Sequence, residues 1–245
     1  MHQRASRRCA VRNRTMVAAL VAGTWLTVAA GFAAAEPAED TEQVPPRTAI
    51  SVRTDIGMTW GTGNEHERRG ALSLAKLYLV DYALRHGDGS AQDLELGERM
   101  IRYSDDGAAS TLAAKYPGAI EAIATEYGLT ETAGADWTTS STSTADVATF
   151  LAAKTRTDPA SPILGWMATA APTAADGTPQ DWGTAQIPGV LGTKWGWSDF
   201  GVPEVASASF GPGFTVAAHT YGSPDEQTAD VLGALVELPT VLTGP

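Results

Sequence analysis

Ser73-Leu74-Ala75-Lys76, Ser104-Asp105-Asp106 and Lys194-Trp195-Gly196 are the stretches of this 245-residue chain whose residue types and spacing could do chemistry. A serine three residues before a lysine lies nearly one helical turn from it, on the same face. Near a helix N-terminus the serine oxygen also gains from the partial positive charge there. A lysine so placed can accept the serine proton once burial holds its pKa down, which would make Ser73 a nucleophile and Lys76 its base. Chance competes with that reading. With four lysines in the chain, an accidental Ser-x-x-Lys has a probability of roughly a quarter. Ser104-Asp105 also has a purely structural reading, because Ser and Asp at a helix start satisfy free backbone amides.

The elements that would carry these residues follow from periodicity. Ile50 and Val52 alternate with polar neighbours, and so do Ile56, Met58 and Trp60, so two short antiparallel strands are expected. From Gly70 to about Arg85 the spacing turns helical, with Leu72, Ala75, Leu79 and Tyr82 on one side. Further helices are expected near 91–102, 105–115, 118–127, 144–154 and 161–170. Val190–Gly196, Glu204–Phe210 and Phe214–Tyr221 are β-rich runs separated by Gly and Pro. A last helix is expected over Asp225–Leu238, with Val231, Leu232, Leu235 and Val236 on one face. This order predicts an α/β (α+β) fold. A five-stranded antiparallel sheet flanked by helices would stand beside a mostly helical half, with the catalytic groups in the cleft between them.

In that order and on those elements the three stretches resemble the S-x-x-K, S-D-N and K-T-G motifs of the serine β-lactamases and penicillin-binding DD-peptidases. The second stretch is similar well beyond its motif, from Met100 to Leu112 and on through Lys115-Tyr116-Pro117-Gly118, Ala122-Ile123 and Tyr127-Gly128-Leu129. The resemblance spans roughly residues 50–240. It implies a β-lactamase/transpeptidase-like fold, with Ser73 as nucleophile, Lys76 as base and Ser104 relaying a proton to the leaving group. It further implies a substrate-binding set of Asp106, Lys194, Trp195, Gly196 and Trp197. Lys194 would offer a cation to a substrate carboxylate, and Gly196 would let the backbone approach closely. The amides of Ser73 and Trp197 would form the oxyanion hole.

The chain departs from that pattern in three places. Asp106 stands where the family has Asn, and a carboxylate near Lys76 favours its ammonium form. Trp195 replaces Thr or Ser, removing a hydroxyl and adding a large ring beside the expected substrate slot. The loop that carries the deacylating glutamate in class A β-lactamases is missing, with no glutamate between Glu131 and Glu204. Asp136 is the nearest acid in its place. An acyl-enzyme formed from a β-lactam should therefore persist. Trp166 reads as packing, whereas Trp195 and Trp197 could line a sugar or peptide platform. His66, His86 and His219 form no metal-ligand spacing, so no metal or organic cofactor is expected.

Arg4, Arg7, Arg8, Arg12 and Arg14 precede an apolar stretch from Met16 to about Ala30 that ends in Ala33-Ala34-Ala35. A basic start, a short apolar run and a small-residue cleavage site predict a secretory signal over residues 1–35, with a retained anchor as the alternative. Residues 36–46 read as a flexible acidic leader, and 47–245 as one domain. Cys9, the single cysteine, falls in the signal, so the exported chain would have no thiol or disulfide. Cleavage removes five of the 17 basic residues and none of the 28 acidic ones, leaving 12 against 28 and a net charge of −16. Such a surface repels phosphate backbones, so nucleic acid is not an expected partner. No stable membrane span is expected after signal cleavage.

These readings converge on an exported cell-envelope serine hydrolase acting through an acyl-Ser73 intermediate on cell-wall peptide or a β-lactam-like small molecule. A non-catalytic cell-wall- or protein-binding relative on the same fold is the alternative, and a small-ester hydrolase is a third reading.

Overall fold

Thr48–Thr54, the first strand (β1), pairs along its whole length with the last strand, so the two ends of the domain meet in one sheet. The computed structural model describes residues 44–234. After β1 come β2 (Thr59–Gly61), β3 (Arg69–Gly70) and a 3₁₀ turn at Leu72–Leu74. Helices α1 (Ala75–His86), α2 (Ala91–Arg102), α3 (Asp106–Lys115) and α4 (Ala119–Tyr127) follow, then β4 (Ser141–Thr142), α5 (Thr144–Thr157) and α6 (Pro162–Ala168). A second 3₁₀ turn at Gly183–Gln186 leads into β5 (Gly192–Trp197), β6 (Val205–Gly211), β7 (Phe214–Thr220) and α7 (Pro224–Ala234). The five-stranded antiparallel sheet has the order β2-β1-β7-β6-β5. β3 and β4 form a separate two-stranded sheet that the sequence pattern did not announce.

The sheet is covered on both faces. Ile50, Val52, Phe214, Val216 and Ala218 point to one side and pack with Val231 and Ala234 of α7. Ala206, Ala208 and Ala217 point to the other and join the helical core. Their small side chains let the helices come close, and in return the strands lose a solvated face, so β1 and β7 are buried nearly throughout. α1 is buried almost all round, with every residue from Ala75 to Ala83 except Tyr82 out of solvent. Its polar residues must therefore find partners inside the protein. Lys76 meets the site described below, and Asp81 pairs with Lys154 of α5 at 2.7 Å.

Several boundaries differ from the sequence expectation. Residues 54–58 form a turn, closed by Gly57 N–H donating to the Thr54 carbonyl and by Thr54 N–H donating to the Met58 carbonyl, each at 3.0 Å. β2 is accordingly short, and Ile56 is exposed rather than paired. α1 starts at Ala75 instead of Gly70 because Gly70 bridges to Ser141 and Leu72 takes a left-handed φ of +50°. Val44, placed by composition in the leader, is buried with the α7-side core. The expected continuation of α7 to Leu238, residues 1–35 and most of the acidic leader lie outside the described residues. Among the described residues no helix is long and apolar enough to cross a membrane.

Candidate active site

The 3₁₀ turn Leu72–Leu74 delivers Ser73 to the start of α1, while the loop between α2 and α3 delivers Ser104. Leu72 (φ +50°) and Ser104 (φ +53°) are the two non-glycine residues with positive φ among the described residues. Such backbone conformations cost on the order of 1–3 kcal/mol each and persist only where the surroundings over-determine them. Both lie at Ser73 and Lys76: Leu72 directly precedes Ser73, and the Ser104 carbonyl accepts from the same Lys76 Nζ as Ser73 Oγ does. Just beyond Ser104, Asp105 caps α3 by accepting from the Ala108 amide at 2.9 Å, and Arg99 holds its other oxygen at 2.7 Å.

Lys76 is fully buried and makes four polar contacts. Its Nζ donates to Ser73 Oγ at 2.8 Å, to the Ser104 carbonyl at 2.7 Å and, more weakly, to Ser104 Oγ at 3.4 Å. It also forms an ion pair with the Asp106 carboxylate. Burial pushes the ammonium below the ordinary lysine range, and the bond to Asp106 opposes that shift. The Trp137 ring lies 4.7 Å from the same nitrogen.

Lys194 approaches from the sheet. It too is fully buried, and its Nζ donates to Ser104 Oγ and to the Trp195 carbonyl, both at 2.8 Å. Burial, and then the charge of Lys76, hold it well below the ordinary lysine range. Ser104 therefore joins the lysine beside Ser73 to the lysine of β5.

Glycine at 196 is what lets β5 come close to Ser73. A Cβ there would stand 2.7 Å from the Ser73 nitrogen and 2.9 Å from Leu72 Cβ. β5 is an edge strand, and antiparallel ladders alternate hydrogen-bonded with open pairs. Ser198 N–H donates to the Glu204 carbonyl, continuing the register in which Gly196 faces Ala206. The intervening residue, Trp197, thus directs its amide off the open edge, on the side where Ser73 N–H approaches β5.

The cleft encloses about 400 Å³. Leu72, Ser73, Trp137 and Thr138 form one wall, Trp197 to Phe200 the other, and Asp106 and Asp176 contribute carboxylates. The Trp195 ring is not there. It is turned to the far side of β5, packed with Trp182 and Val205, and its indole nitrogen donates to the Trp182 carbonyl at 2.9 Å. The space beside Ser73 is free of the Trp195 ring, which its packing on Trp182 and Val205 holds away, whereas Trp197, on the same face of β5 and against the same cluster, reaches the cleft at the strand's end. Asp136 is not among the residues lining the cleft beside Ser73, and it accepts from the Thr138 amide at 2.8 Å. Sequence reading missed Trp137, Asp176, Asp199 and Phe200. Each lies in a loop with no motif of its own, and only tertiary folding brings them to Ser73. Trp166 packs against the helical core as expected.

No protein-family model and no curated protein matches the sequence. Solved structures do. The fold is similar to penicillin-binding protein D2 from Listeria monocytogenes, solved with ampicillin bound (TM-score 0.58, 16% identity, covering 77% of this chain and 95% of that one). It is similar to a β-lactamase from Sphaerobacter thermophilus (TM-score 0.59, 15% identity, 78% and 90% covered). A D-alanyl-D-alanine carboxypeptidase from Mycobacterium tuberculosis also matches (TM-score 0.57, 18% identity, 86% and 96% covered). The chain has the fold of the serine β-lactamase and penicillin-binding protein superfamily.

Proposed function

We propose that the protein is an exported serine acyl hydrolase or transferase working through an acyl-Ser73 intermediate. The observation that carries this is Lys76 Nζ, buried and 2.8 Å from Ser73 Oγ. Ser73 Oγ attacks an acyl carbon as its proton passes to Lys76. The carbonyl oxygen becomes an oxyanion held by the Ser73 and Trp197 amides. Ser104 gives its proton to the leaving nitrogen or oxygen as the bond to the acyl carbon breaks and takes the proton held by Lys76 in return, which leaves Lys76 neutral. Water then attacks the acyl-enzyme, yielding the free acid and restoring Ser73. Peptide amides of the cell wall and β-lactam-like rings are the substrate class that the fold likeness supports. Residues 1–35 would direct export, and the rest would act outside the membrane.

The ion pair between Lys76 and Asp106 favours a second reading, a non-catalytic binding protein, because a paired ammonium takes no proton from serine. Intact-mass analysis after treatment with an uncharged fluorophosphonate separates the two. A single adduct on the wild-type protein that is absent from Ser73→Ala supports the acyl-Ser73 reading. No adduct on the folded wild-type protein moves the conclusion to the binding protein.

A further inference from the structure

We propose that this cleft selects acyl groups bearing a positive charge, with Asp176 and Asp199 as the specificity-determining carboxylates and Trp197 and Phe200 as the aromatic faces beside them. The inference rests on the acyl-Ser73 reading and names its substrate class.

Two independent sets of observations carry it. The first concerns the cation expected to meet a substrate carboxylate. Lys194 is fully buried, and its Nζ donates to Ser104 Oγ and the Trp195 carbonyl, with no surface left toward the cleft. The neighbouring position supplies no hydroxyl, because Trp195 faces away and is bound to Trp182. Lys76 is likewise buried, and it is neutralised by Asp106. The space in front of Ser73 therefore presents no free cation among the described residues that line it.

The second set concerns what the cleft does present. Asp176 and Asp199 are exposed on its walls and have no ion-pair partner among the described residues. Trp197 Nε1 donates to the Asp176 carboxylate at 3.2 Å, which fixes that acid against the indole. Phe200, 92% exposed, projects next to Asp199 at the mouth. Carboxylates beside aromatic faces suit an ammonium group, by Coulomb attraction and by attraction to the ring quadrupole. The same surfaces repel the carboxylate that a penicillin or a peptide C-terminus carries. The chain's net charge, −11 in full and −16 without residues 1–35, acts in the same direction at longer range.

Three p-nitrophenyl esters of matched shape test the idea, with acyl chains ending in trimethylammonium, tert-butyl or carboxylate. The expected order of kcat/KM is cationic, neutral, anionic, with roughly 100-fold between the extremes. In Asp176→Asn/Asp199→Asn that span should shrink to below about 10-fold; both positions are exposed, so the fold should tolerate the change. Equal kcat/KM on all three esters, with turnover lost in Ser73→Ala, overturns the charge selection and leaves the acyl-Ser73 reading standing. If no ester shows Ser73-dependent turnover, the acyl-Ser73 reading fails. Tryptophan fluorescence titration with the corresponding amides then decides the selection on its own. Tighter binding of the cationic amide, lost in the double variant, supports it, and equal binding overturns it.

Discussion

Lys194 and Lys76 reach the same hydroxyl. Their Nζ atoms lie 2.8 Å and 3.4 Å from Ser104 Oγ, although one lysine comes from the sheet and the other from the central helix. Two ammonium groups on one oxygen in a buried site repel each other, so the pair favours losing a proton. Burial acts on both in the same direction, and Asp106, ahead of Asp105 and Asp176, opposes it at Lys76. The charge state of Lys76 is thus a balance in which Asp106, the residue that departs from the S-D-N pattern, pulls toward the ammonium.

On the acyl-Ser73 reading, Asp106→Asn should speed turnover at neutral pH. Acylation needs neutral Lys76, so the rate rises with pH through the lysine's pKa. Asp106 raises that pKa; without its charge the limb moves to lower pH. On the acid side of that limb kcat/KM should rise roughly tenfold. A pH–rate profile on the neutral ester checks this. Loss of activity to the level of Ser73→Ala would instead identify Asp106 as a required proton acceptor.

Gly196→Ala should damage catalysis more than stability. The added carbon would meet the Ser73 backbone nitrogen at 2.7 Å, and backbone atoms cannot rotate away as a flexible side chain would. β5 must retreat from the nucleophile, separating the Ser73 and Trp197 amides. A loss of about 100-fold in kcat/KM is expected for a misplacement of that order, with roughly 1–3 kcal/mol of destabilisation from overpacking. Wild-type turnover in a variant of normal Tm would remove the amides from the mechanism.

Local pattern made the chain's elements legible, and tertiary strain accounts for what it hid. Strands β5 to β7 and helices α2 to α5 follow period-2 and period-3.6 spacing, with Gly and Pro marking their ends. Motif order likewise led to Ser73, Lys76, Ser104, Lys194 and Gly196. The start of α1 escaped notice because a left-handed Leu72 has no sequence signature. The K-T-G resemblance puts Trp195 beside the expected substrate slot, whereas its ring turns away to pack on Trp182 and Val205, a tertiary contact with no local signature. Asp176 and Asp199 sit 70 and 93 residues after Asp106 and on separate loops, so no window of sequence joins them.

Asp146 should impose a pH dependence on stability that runs opposite to the usual one for carboxylates. It accepts from the Glu131 amide at 2.9 Å and from Thr132 Oγ1 at 2.7 Å, yet burial, together with the nearby Glu131 carboxylate, raises it from 3.8 to about 6. Between those values the folded state keeps a proton that the unfolded chain releases. This contribution is complete below about pH 4 and is lost as pH rises through 6. Asp146→Asn cannot lose that proton. Its Tm relative to wild type should therefore climb from pH 4 to pH 7, and a constant offset across that range would contradict the assignment.

Lys154→Met should destabilise the protein by about 3 kcal/mol, although the residue lies outside the cleft. Lys154 and Asp81 are both buried and 2.7 Å apart, joining α5 to α1, the helix that carries Lys76. Removing the lysine leaves a carboxylate in the interior, and breaking a buried pair from one side costs about 3–5 kcal/mol. Arg85 Nε still donates to the other Asp81 oxygen at 3.0 Å, which puts the expected cost at the low end. Lys154→Met/Asp81→Asn removes both charges and should recover more than half of the loss. Denaturant midpoints of the two variants at unchanged m-value check this. If the double variant is no more stable than the single one, the lysine contributes by packing its methylene stem and not by its charge.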